Sequence, residues 1–421
     1  NLSKIITFVA DSTNFLHTMR RSIYLTLLLQ LLNQTSFSII FGPVTFQRRP
    51  VLRQLGSMVA STTSLISSSP HSVDAFSSIS QNVPTSKNVP KMSTEQSDAK
   101  NVAYRAFAMD VMGEKIPVAM WYQINNNQEV ERVLPSAKYL HRISVRRIGE
   151  LLARWDFVPQ FVAKNYQLKP TLNNVFDGTS VPVPSSGPVV LFAHGYLGSR
   201  FDLSHIAEAL AQDGFICLSA EYPESLAASY AVKEDLDRAT ITNQLLTELT
   251  SSWGVSKPTS FGIVGHSLGT GTVITTGDNS WARVCLAGFP RRPNTGRAVT
   301  QNALYISSMN DGAVSPGRFG GASAVPSEFS LLEELNIPQP IPKQSMLLVD
   351  RPDAPNHISF LTNGVNDSMI NLLSPLLPVA EALKIPVLDF DKYQVSKDSD
   401  ATARLVIPLV KQYLKEQMKA K

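Results

Sequence analysis

The sequence predicts an α/β fold, a mostly parallel central sheet with helices on both faces. Three observations carry that expectation. Apolar runs such as Val189-Val190-Leu191-Phe192-Ala193 read as strands buried on both faces, as parallel sheets require. Such runs alternate with longer helix-like segments, which is the pattern of a doubly covered sheet. One of them, residues 261–264, leads through Gly265-His266-Ser267-Leu268-Gly269 into a helical segment, a strand–turn–helix unit.

The elements follow in order. Residues 103–109 and 115–123 read as opening strands. Residues 143–155 read as a basic amphipathic helix, with Arg142, Arg146, Arg147 and Arg154 on its polar side. Such a helix can touch lipid headgroups, although a solvated surface helix is the simpler reading. Residues 187–193 form the next strand, 201–212 a helix, then a strand that begins at Phe215 and is ended by Glu221-Tyr222-Pro223, and 235–253 a helix. After the 261–264 strand comes a helix at 270–274, then strands at 284–290, 302–308 and, last, 346–349. Residues 312–344 are rich in Gly, Pro and Ser, with a turn at Leu331-Leu332-Glu333-Glu334-Leu335. Residues 368–388 are strongly apolar. Beside the site, these two segments read equally well as a flexible cover and an apolar wall, or as a surface loop and ordinary core.

The first hundred residues read as an address. Met19-Arg20-Arg21 precedes an apolar run of about ten residues, a signal-peptide pattern over 19–42 that is too short for a confident membrane span. Residues 1–18 then read as leader upstream of the true start. Residues 43–100 are Ser-rich, acid-poor and transit-like. Together they resemble a two-part plastid presequence; a secretory signal with a linker is the alternative. Residues 101–421 are expected to form the catalytic domain.

Nine of the 38 basic and four of the 34 acidic residues fall in 1–100, which leaves 29 against 30 in the remainder. That balance gives no footprint for nucleic acid. Cys217 and Cys285 read as free cysteines in buried strands, and no His/Cys cluster has metal-ligand spacing.

The chemistry centres on Gly265-His266-Ser267-Leu268-Gly269. A tight Gly-x-Ser-x-Gly turn holds a serine hydroxyl out of the sheet, at the positive end of the next helix. A serine so placed becomes a usable nucleophile once a base takes its proton. Upstream, the 187–193 strand runs into His194-Gly195-Tyr196, where the backbone N–H of Tyr196 can join that of Leu268 as an oxyanion hole. The side chain of His194 reads as a brace for that loop. Of seven histidines only His357 follows His266, and it lies on a loop beyond the last strand. Chain order makes it the general base. Asp311, on the loop after the 302–308 strand, is the expected acid, with Asp278, Asp350 and Asp353 as rivals.

Here the chain resembles the platelet-activating-factor acetylhydrolase branch of the α/β-hydrolases. Ala193-His194-Gly195, Gly214-Phe215-Ile216 and the elbow tail Thr272-Val273-Ile274 carry the likeness. Chlorophyllases are close relatives with the same layout. The resemblance covers roughly residues 100–415 and implies an α/β-hydrolase fold and a serine esterase. In both relatives the triad acid sits on the strand after the elbow helix. Here that strand, Val284-Cys285-Leu286-Ala287-Gly288-Phe289-Pro290, has no acid, which favours Asp311. Leu268 also differs from the Arg typical of plant chlorophyllases.

The expected enzyme cleaves a lipid-like ester through an acyl-enzyme, with no cofactor or metal. Its substrate is a short-acyl phospholipid or a chlorophyll phytyl ester; a thioesterase, lactonase or lipase uses the same site. A non-catalytic ligand-binding protein is the reading of another class.

Overall fold

A computed structural model describes residues 100–124, 134–148, 150–151, 163–231, 233–291, 296–373 and 399–419. All lie in one compact unit, residues 99–421. The leader, signal and transit readings fall outside the described residues, as does residue 154.

The chain opens with a hairpin, β1 (Val102–Val111) and β2 (Glu114–Gln123). A small two-stranded sheet follows, β3 (Tyr139–Ser144) against β4 (Ala163–Leu168), with a short helix α1 (Val145–Ile148) after β3. Then come β5 (Val175–Asp177), β6 (Ser186–Ala193), α2 (Ser204–Gln212) and β7 (Ile216–Ala220). Next are α3 (Arg238–Ser251), β8 (Lys257–His266), α4 (Gly269–Thr275), β9 (Ala282–Leu286) and β10 (Leu304–Ser308). β11 (Ser330–Leu332), β12 (Ser345–Val349), α5 (Asn363–Leu373) and α6 (Ser399–Gln417) complete the described elements.

Ten strands form one sheet in the order β11-β12-β10-β9-β8-β6-β7-β2-β1-β5. From β11 to β7 every neighbouring pair is parallel, and β2 is antiparallel to both β7 and β1. The buried stretches of the central strands, such as Val189-Val190-Leu191-Phe192-Ala193 of β6 and Ile263-Val264 of β8, are apolar because both faces are covered. Val190, Phe192, Val264, Val284 and Leu286 pack on one face with Leu409, Val410 and Tyr413 of α6. Leu191, Ile263, Val273 and Cys285 pack on the other with Ile241, Leu245 and Leu249 of α3. Each such aliphatic side chain contributes about 1.5–3 kcal/mol relative to exposure. Cys217 and Cys285 are buried and unbridged.

One chain of buried polar groups crosses this core. Trp121 Nε1–H donates to Tyr139 Oη at 2.8 Å, and Tyr139 O–H donates to the Glu208 carboxyl at 2.7 Å. Burial pushes Glu208 up to about 7.

The structure corrects the start of the expected helix over 143–155. Ile143 and Ser144 belong to β3, helix begins at Val145 as α1, residues 150 and 151 are helical too, and residues 149 and 152–155 lie outside the described residues. Tyr139, His141 and Ile143 alternate inward, and that period of two outweighs the arginine-rich run after it. Arg147 is not on a polar side. It is buried, and its guanidinium donates to the carbonyls of Ser225 and Pro223. In the 312–344 segment, Leu331 and Leu332 belong to the edge strand β11, and Phe319 stacks on Phe289 at 5.0 Å. Most of the 368–388 segment lies outside the described residues.

Candidate active site

β8 ends at His266 and α4 begins at Gly269, so the reversal falls on Ser267 and Leu268. Ser267 adopts φ +53°, a left-handed conformation that costs a non-glycine residue of order 1 kcal/mol. Ser267 N–H donates to Leu286 O of β9 at 3.0 Å, which helps hold the strained turn. A Cβ on Gly265 would meet the backbone of Gly269, and one on Gly269 would overlap the Ala193 carbonyl. Small residues are therefore mandatory on both sides of the serine. At the far end of α4 the buried Arg283 donates to the carbonyls of Val273, Thr276, Asp278 and Trp281. It satisfies groups that the helix end leaves open.

The loops after β10 and β12 bring Asp311 and His357 to this turn. His357 Nδ1–H donates to Asp311 Oδ2 at 2.9 Å, and Ser267 Oγ–H donates to His357 Nε2 at 2.9 Å. The carboxylate accepts only, which fixes the proton on Nδ1 and leaves Nε2 as the acceptor. Asp311 is 1% exposed, and its Oδ1 accepts the N–H groups of Ala313 and Val314 at 2.9 and 2.7 Å. Burial works to raise its pKa, but the His357 charge and these hydrogen bonds outweigh it and hold the carboxyl below its usual range.

The three rival acids stand elsewhere. Asp278 is exposed at the turn after α4 and accepts from Ser280. Asp350 is exposed, and Asp353 pairs with Arg351.

The loop after β6 lies against the same turn. Gly195 is so close that a Cβ there would stand 3.2 Å from Ser267 Cβ. His194 is a buried brace. Its Nε2 accepts Tyr222 N–H at 2.9 Å, and its Nδ1–H donates to Gly195 O at 2.8 Å. Burial drives its pKa well below the usual value, which suits a neutral ring with one donor and one acceptor. Gly198 N–H also donates to Gly195 O. In a planar trans peptide this pins the Tyr196 N–H on the side away from those two donors. Leu268 is the N-cap of α4, and no described residue accepts its backbone N–H. The Tyr196 phenol donates to Leu151 O at 2.8 Å, outside the reacting centre.

Three supporting residues escaped the sequence reading. Arg238 of α3 donates to His194 O at 3.0 Å and lies over the Tyr222 ring at 4.6 Å. Asn310, beside Asp311, donates to the carbonyls of Arg351, Pro352 and Ala354 at 3.2–3.3 Å and so ties the loop after β10 to the loop after β12. His266 Nε2–H donates to His357 O at 2.9 Å. No spacing rule marks any of them, because each acts on backbone groups distant in sequence.

The chain is similar in part to several known proteins. Residues 106–250 match the family model of platelet-activating factor acetylhydrolase, isoform II. That match contains the His194-Gly195 loop and ends before the elbow. No curated protein matches the chain in sequence. Among solved structures, a ferulic acid esterase from Streptomyces cinnamoneus is similar at 13% identity, over 76% of this chain and 89% of its own, with a TM-score of 0.39. A putative dienelactone hydrolase from Klebsiella pneumoniae is similar at 9% identity, over 65% of this chain and 97% of its own, with a TM-score of 0.34. XC6422 from Xanthomonas campestris, a serine hydrolase without a lid, is similar at 12% identity, over 65% and 94%, with a TM-score of 0.33. With its largely parallel sheet, its Gly-x-Ser-x-Gly turn and its match over 106–250, the chain has an α/β-hydrolase fold and resembles the platelet-activating-factor acetylhydrolase branch over that stretch.

Proposed function

We propose that Ser267, His357 and Asp311 form the catalytic triad of an esterase that cleaves a lipid-like ester. The hydrogen-bonded line from Asp311 through His357 to Ser267 carries this reading. Ser267 Oγ attacks the ester carbonyl carbon while its proton passes to His357 Nε2. The carbonyl oxygen becomes an oxyanion, held by the N–H groups of Leu268 and Tyr196, each worth roughly 3 kcal/mol. The imidazolium, stabilised by Asp311, then protonates the departing alkoxide, and an acyl-serine remains. Water, deprotonated by His357, attacks that acyl group, and the acid leaves as Ser267 recovers its proton.

The substrate favoured is a short-acyl phospholipid. The match of residues 106–250 to the acetylhydrolase model supports it. Arg147, buried at the carbonyls of Ser225 and Pro223, is not available for headgroup contact, so lipid would be met by other residues. The second reading, chlorophyll phytyl-ester hydrolysis in a plastid, rests on the signal-plus-transit pattern of residues 19–100; a secreted enzyme is its counterpart.

Turnover of a short-acyl phospholipid and of chlorophyll a, with Ser267→Ala as the blank, tests both. Acetate release from the phospholipid alone supports the first reading, and chlorophyllide supports the second. No turnover of any ester, without fluorophosphonate labelling, would instead indicate a binding protein.

A further inference from the structure

His266 stands one residue before the proposed nucleophile, yet its side chain takes no part in the chemistry described above. It is 3% exposed. Its Nε2–H donates to the backbone carbonyl of His357 at 2.9 Å, and a carbonyl can only accept, which fixes the tautomer. The two imidazole rings lie 4.7 Å apart, and Phe360 flanks His266 at 6.3 Å. On its other side, Nδ1 has no hydrogen-bond partner among the described residues and lies where a Cβ on Gly195 would stand only 3.1 Å away. One ring therefore touches the base loop and the loop after β6, while its backbone belongs to the serine turn.

The consequence is geometric. His357 reaches both Asp311 and Ser267 only if its Cα is held at a set distance from the turn. Asp311 restrains one ring nitrogen, but a ring can pivot about that bond. The backbone carbonyl is the second point of attachment, and His266 supplies its donor. We propose that His266 is a positioning residue: its Nε2–H sets the place of His357 against Ser267 by holding the His357 carbonyl. The inference rests on the triad reading of Ser267, His357 and Asp311. Burial keeps His266 neutral, with its pKa pushed down to about 3, so the donor is the same across the working range.

Three variants of the full chain test this, with p-nitrophenyl butyrate turnover, the inactivation rate by a fluorophosphonate and the thermal midpoint as readouts. His266→Phe keeps the ring and loses the donor. His266→Gln keeps an N–H donor at the reach of Nε2. His266→Asn keeps an amide that is too short. A misplaced base costs about tenfold to a hundredfold in kcat, since misplacement of the order of 1 Å has that effect. The expected result is that loss in Phe and Asn, with KM within about twofold, a parallel fall in inactivation rate, and recovery to within about fivefold in Gln. A wild-type kcat in the Phe variant overturns the proposal. So does a common fall of Gln, Asn and Phe that tracks their thermal midpoints. If Phe fails to fold, the order of Gln above Asn decides. Ser267→Ala is measured alongside: if it stays active the triad reading itself fails, whereas a dead Ser267→Ala with an unimpaired Phe variant removes only the role of His266.

Discussion

Gly195 packs directly against Ser267: a Cβ on Gly195 would stand 3.2 Å from Ser267 Cβ and 3.1 Å from His266 Nδ1. Neither neighbour is the free end of a flexible chain, so neither can swing aside. Gly195→Ala should therefore push the loop after β6 off the serine turn. The expected outcome is a loss of at least about tenfold in kcat/KM, because the Tyr196 N–H retreats from the oxyanion. Steady-state kinetics with a thermal melt checks it.

Tyr196→Phe gives the opposite expectation. The phenol donates to Leu151 O, away from Ser267, while the proposed oxyanion donor is the backbone N–H. Loss of that hydrogen bond should cost about 1 kcal/mol of stability and leave kcat within about threefold. A chemical-denaturation curve and kcat on the same preparation test both halves.

Asp311→Asn should lower kcat by about a thousandfold to ten-thousandfold. The Asn side chain can still accept from Ala313 and Val314 through one oxygen, which turns its NH2 toward His357. His357 must then carry its proton on Nε2, where it can no longer accept from Ser267. Near-normal kcat in this variant, with Asp353→Asn inactive, would move the acid to the wrong loop.

Asp202 offers a pH test independent of catalysis. Burial pushes it up to about 7, against hydrogen bonds from Ser199 that lower it. Its folded value lies above the unfolded one near 3.8. The contribution to stability is therefore full below about 3.8 and is lost as pH rises through about 7. Asp202→Asn keeps the Oδ1 acceptor for Ser199 N–H and removes the titration. Relative to this variant, the parent chain should lose on the order of 2 kcal/mol between pH 5 and pH 7. Denaturant midpoints of the two chains across that range measure it.

What the sequence showed follows from the range of each interaction. The elbow was legible because small residues at 265 and 269 are a local steric demand. His357 was found through chain order and Asp311 through the strand end before it, and the structure brings both to Ser267. β3 was misread because six alternating residues run into Arg146 and Arg147, and local pattern cannot say that Arg147 will be buried at the carbonyls of residues 223 and 225. α6 carries a readable stripe, with Thr402, Val406, Leu409, Val410 and Tyr413 buried, yet Pro408 and a mostly polar surface hid it. His266, Arg238 and Asn310 were illegible for another reason. Their partners are backbone carbonyls 91, 44 and 41–44 residues away, and carbonyls leave no mark in a sequence.

The central claim is that Ser267 is a nucleophile activated by His357. The most direct measurement is reaction of the full chain with a fluorophosphonate, with the adduct located by peptide mass spectrometry. The account predicts a single adduct on Ser267, absent in Ser267→Ala and formed at least about a thousandfold more slowly in His357→Ala. An adduct on another serine, or ester turnover that persists in Ser267→Ala, would contradict it.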